Sequence, residues 1–79
     1  MTTPVTMEFL VVLTLAKSLG NGMRQSTLIR TVTASAGSTR QGLLSWALNE
    51  AGPDMAGSNI MFFSAEPNAL PFPEQEVAR

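Results

Sequence analysis

The chain has no cysteine, no histidine and no tyrosine, and a single tryptophan among its 79 residues. Each absence removes a class of chemistry. Without cysteine there are neither disulfides nor thiolate metal sites. Without histidine the chain lacks the commonest general base and the commonest transition-metal ligand. Charge is also scarce: 14% of the residues are Asp, Glu, Lys or Arg, and five cations against six anions leave a formal net charge of −1. A polyanion-binding domain usually carries a clear basic excess, so nucleic acid is not an expected partner. Long apolar runs are missing as well. The strongest, Phe9 to Ala16, falls far short of the ~20 residues a membrane helix needs. Glu8 abuts it and no Lys or Arg precedes it, the wrong flank for a secretory leader. The expectation is a cytoplasmic protein with no membrane partner.

What is present is a hydrophobic content of 44% in a chain long enough for one small domain. A domain of about 60 ordered residues buries only about 60% of its unfolded surface and is marginal without staples. With no disulfide to help, burial of a second surface against another copy or another protein is the expected remedy.

Residues 6–16 place Met7, Phe9, Val11, Leu13 and Leu15 at spacing two, which predicts a strand with one fully apolar face. The same run also suits a buried helix, but Val11, Val12 and Thr14 are β-branched and Gly20-Asn21-Gly22 follows as a turn signal. Ser26 to Thr33 is dense in β-branched residues and predicts a second strand, paired back through a long connection, Lys17 to Gln25, with a bulge or mobile tip. Ser38-Thr39-Arg40-Gln41 fits a capping box with Ser38 as the cap, opening a helix through Leu43, Leu44, Trp46, Ala47 and Leu48 that Gly52 and Pro53 stop. Asn59 to Ser64 predicts a third strand. The expected fold is α+β, β-β-α-β, a three-stranded antiparallel sheet in order 2-1-3 with one helix on one face. Residues 1–65 form the domain. From Glu66, the prolines Pro67, Pro71 and Pro73 with Glu74 and Glu76 predict an extended acidic tail, 66–79.

Over residues 6–65 this arrangement resembles the ubiquitin-like β-grasp. Met7-Glu8-Phe9-Leu10-Val11 is similar to its opening strand, Thr31-Val32-Thr33 with Ser38-Thr39 to its second strand and helix entry, and Ile60-Met61-Phe62-Phe63 to its third strand. The family's last strand lies between the first and third, and here only the proline-rich tail remains to supply it. The chain ends Val77-Ala78-Arg79 rather than in a glycine pair, so conjugation through the C-terminus is not carried over. The resemblance implies a protein that works by being bound.

Catalysis has little to work with. Hydroxyls abound, but a nucleophile needs a base within reach, and only Lys17 and the carboxylates are available. Glu50 and Asp54 flank the predicted helix end, where capping and solvation account for them. No cofactor and no metal site is expected. The ionisable residues between Phe9 and Asn49 are all basic: Lys17, Arg24, Arg30 and Arg40. They form the candidate anion site, with Arg40 beside the helix N-terminus in Gly37-Ser38-Thr39-Arg40-Gln41-Gly42. Solvation and capping explain the same residues without a ligand.

The feature that carries most is the second sheet face. Leu10 and Val12 fall where a one-sided antiparallel sheet normally shows polar residues, next to Thr14 and, across the hairpin, Leu28 or Ile29. Trp46 and Phe63 are candidate aromatic anchors at its margins or on the helix side. Leu70 and Phe72 of the tail are the competing cover, which would make the patch a satellite core. The functional expectation is a non-enzymatic protein-protein interaction module, homodimer, adaptor or inhibitor, associating through this face or through an edge strand. The alternative is nucleic-acid or phosphate binding through Lys17, Arg24, Arg30 and Arg40.

Overall fold

The computed structural model describes residues 5–70. The order is β1 (Thr6–Leu19), β2 (Gly22–Ser35), α1 (Arg40–Ala51), a 3-10 turn at Pro53–Met55 and β3 (Asn59–Pro67). The sheet runs β2-β1-β3 with both pairings antiparallel, the α+β arrangement the sequence predicts. Because β1 bonds directly to β3, no strand lies between them.

The alternating apolar residues do form a strand, and it continues further than expected. Leu19 pairs with Gly22 across Gly20 and Asn21, so the hairpin closes in two residues instead of through the long tip predicted from Lys17 to Gln25. Gly20 supplies the positive φ, 22°, that such tight turns need. Lys17, Arg24 and Gln25 are poor strand formers, but the backbone ladder set by the turn carries them. The irregularity lies elsewhere: the β1–β3 register slips between Thr14 and Leu15, a bulge at Met61.

The helix entry shifts by one residue. Thr39, not Ser38, is the N-cap, with its Oγ1 accepting from the Gly42 amide at 3.0 Å. Ser38 is used by the preceding turn. Its amide donates to the Ser35 carbonyl at 3.0 Å, its hydroxyl accepts from the Ser35 amide at 3.3 Å, and Gly37 holds φ 97° at the position that demands it. At the other end Gly52, φ 89°, and Pro53 stop the helix as expected.

Glu66 and Pro67, expected to open the tail, belong to β3. The Asn68 amide donates to the Glu8 carbonyl at 2.9 Å, and Asn68 Nδ2 donates to Glu8 Oε1 at 2.9 Å, which fastens the strand end to β1. Bonding alternates along an antiparallel pair, so the nitrogen of Pro67 faces away from β1 and costs the ladder nothing. The rest of the predicted tail, residues 71–79 with Phe72, lies outside the described residues.

One face of β1 makes the core. Val11 and Leu13 are fully buried, Leu15 nearly so, and they pack with Leu28 of β2, Ala65 of β3, Ala47 of α1 and Met55 of the 3-10 turn. Ala47 is the only buried residue of α1, and its small side chain lets the helix lie close on the sheet. Fourteen residues of β1 span about 48 Å, whereas twelve helical residues span about 18 Å. The hairpin therefore outruns the helix that covers it.

Leu13→Ala should cost about 2–5 kcal/mol of unfolding free energy, read from the urea midpoint, because a fully buried leucine leaves a cavity in this small core. Thr33→Ala, on the other face, should cost within about 0.5 kcal/mol. Equal effects would mean that the two faces are not different.

Candidate interaction surface

Residues directly opposite each other in a sheet share a face. The registers thus place Leu10 beside Thr31 and Glu66, Val12 beside Ile29 and Ser64, and Thr14 beside Thr27 and Phe62, all on the face away from α1. Both helical elements pack on the Val11–Leu15 side, so among the described residues no helix lies over this open face. Leu10 and Val12 are half-buried between the flanking strands. Ile29 and Phe62, at their sides, are 57% and 53% exposed.

The result is an apolar row, Leu10, Val12, Ile29 and Phe62, bordered by hydroxyls. The Thr14 and Thr27 hydroxyls lie 3.1 Å apart and share a hydrogen bond across the strands. Glu8 and Glu66 give one end of the face negative charge. A one-sided antiparallel sheet ordinarily turns polar residues to water, so this row is the departure that needs a cause.

Trp46 and Phe63 do not join it. Both pack against the buried cluster on the helix side. Trp46 lines a cleft of about 440 Å³ with Val32, Thr39 and Leu43. A second cleft, about 480 Å³, lies between Leu15, Leu48, Pro53 and Ile60. Among the described residues no ionisable side chain lines either one, so those residues bring no acid, base or charged nucleophile to them.

Sequence reasoning left open whether Leu28 or Ile29 joins this face, and it did not single out Phe62. The length of the hairpin turn decides whether Leu28 or Ile29 faces the core, and the two-residue closure at Gly20-Asn21 sets it. The β3 bulge decides the same question for Phe62 and Phe63, and no residue type in that strand announces it.

The four cations are spread along the molecule. Lys17 and Arg24 stand directly opposite each other near the hairpin turn, on the helix-side face. Lys17 Nζ donates to the Asp54 carbonyl at 3.0 Å. Arg30 lies about 20 Å further along β2, six strand residues away, and its Nη1 donates to the carbonyl of Ile29 at 3.0 Å. Arg40 is the first residue of α1, beyond the far end of β2. Only Lys17 and Arg24 are brought together.

Comparison with protein-family models, with curated proteins and with solved structures finds no match. No helix of the described residues is long and apolar enough to cross a membrane.

Like charges directly opposite in a sheet repel. Arg24→Glu should therefore raise the melting temperature at low salt, and the gain should shrink at 1 M salt, where the Debye length falls to about 3 Å. A melting temperature lowered at low salt would show that the two cations are not in each other's field.

Proposed function

We propose that this chain is a non-enzymatic protein-protein interaction module whose open sheet face docks a partner protein. The observation that carries the reading is the apolar row Leu10, Val12, Ile29 and Phe62 on a face over which no described helix lies. Exposed rows of this kind on small domains mark association, and Phe62 at one end of the row is an aromatic of the kind enriched at interfaces. The β-β-α-β order is compatible with the β-grasp resemblance, which implies a protein that works by being bound, although β1 here pairs directly with β3. Supporting the absence of catalysis, both clefts are lined without ionisable groups. The proposal keeps the cytoplasmic setting expected from a cysteine-free chain. Anion binding ranks second because the cations are spread along the length of the fold rather than around one site.

The test is retention of proteins from an extract of the producing cells by the immobilised chain. Val12→Asp and Phe62→Asp should each lose what the wild type retains, with far-UV circular dichroism unchanged, while Arg24→Glu keeps it. Retention unchanged in the two aspartate variants would remove the open face from the reading.

A further inference from the structure

The sheet has two outer edges, and they differ in what they offer. The bonding phase of each ladder fixes which backbone groups face outward. The Ala36 amide donates to the Val5 carbonyl, so even-numbered residues of β2 bond to β1 and odd-numbered ones point away. The outward groups of β2 therefore belong to Met23, Gln25, Thr27, Ile29, Thr31 and Thr33. Ser35, the next in the series, already uses its amide and its carbonyl on Ser38. The usable edge runs from Met23 to Thr33, straight, without proline or bulge.

The β3 edge is blunted. On it the outward positions include Pro67, which has no N–H to give, and the bulge at Met61 breaks the repeat. These are two of the devices by which sheets avoid pairing along an edge. The β2 edge has one counterpart, the Arg30 guanidinium on the Ile29 carbonyl, an exposed side-chain bond that a backbone amide can replace.

We infer that the β2 edge pairs antiparallel with the β2 edge of a second copy, about a two-fold axis at Leu28, to give a closed dimer with a continuous six-stranded sheet. The occupant follows from the geometry. Six outward residues centred on Leu28 meet their own symmetry mates completely: Met23 faces Thr33 of the other copy, Gln25 faces Thr31, and Thr27 faces Ile29. All six residues of each edge exchange both bonds, roughly 12 hydrogen bonds in total. On the helix-side face Leu28 meets Leu28, Ser26 meets Arg30 and Arg24 meets Val32, so no cation stands directly opposite a cation. With only one competent edge per chain, pairing stops at two copies instead of growing into a filament. Thr27, Ile29 and Thr31 also carry open-face side chains, so the two open faces join into one. The inference does not rest on the open-face reading.

The absence of native cysteine makes the register directly testable by cross-linking. Ser26 and Arg30 of opposite copies would form a pair whose Cα atoms are about 4.5 Å apart, within disulfide reach. Each position lies about 14 Å along the strand from its own symmetry mate, outside that reach. The full chain carrying Ser26→Cys and the full chain carrying Arg30→Cys are oxidised mildly, apart and mixed, after light scattering of the wild type. The expected result is a two-chain mass and a disulfide dimer at least tenfold more abundant in the mixture than in either sample alone. Val12→Asp introduced into both chains should leave that dimer in place, which separates this result from any failure of the open face. A wild type of single-chain mass at 100 µM overturns the inference. So does cross-linking that is absent from the mixture or equal in all three samples.

Discussion

Everything in this fold hangs on the burial of one face of β1. Val11, Leu13 and Leu15 are three alternate buried positions of one strand, and the other elements pack on them: Leu28 and Ala65 from the flanking strands, Ala47 from the helix, Met55 from the 3-10 turn. Fully burying an aliphatic side chain of this kind is worth about 1.5–3 kcal/mol, so three of them supply the main drive for a domain with no staple. The central position of β1 is a consequence. A strand whose apolar face is this continuous is stabilised most where neighbours flank it on both sides, and the β2-β1-β3 order provides that.

The same economy leaves two surfaces unfinished. One short helix can cover about 18 Å of a hairpin that spans about 48 Å, and it can cover only one side of it. The open face keeps Ile29 and Phe62 exposed and Leu10 and Val12 half-buried, and among the described residues no strand lies beside the outer edge of β2. On β3, by contrast, Pro67 and the bulge at Met61 interrupt the edge. The molecule guards one boundary and leaves its other boundary and one face open, a distribution that suits a protein completed by association.

Much of this was legible in the residues, and the reasons differ element by element. The spacing-two run from Met7 to Leu15 suits a strand or a buried helix, its β-branched residues and the following glycines favour the strand that forms, and Gly52-Pro53 stop the helix. The hairpin tip was not legible from propensity. Lys17, Arg24 and Gln25 are strand residues because the ladder extends to a two-residue turn, a cooperative effect that single-residue preference does not carry. The capping box pointed to Ser38, but the preceding turn uses that hydroxyl and Thr39 caps the helix instead. For the candidate surface, parity alone puts Leu10 and Val12 on the open face, whereas Phe63 falls on the helix side, one of its two expected places, and Phe62 reaches the open face in a strand whose one-residue bulge leaves no mark in the sequence.

The claim that joins these points is that a second copy completes a one-sided domain, and the thermal midpoint as a function of protein concentration tests it most directly. Association that favours the folded state must raise the midpoint as concentration rises. The account predicts a steady increase over a hundredfold range of concentration, from about 1 to 100 µM. A midpoint independent of concentration would contradict it, because the fold would then be as stable with the β2 edge in water as with it paired.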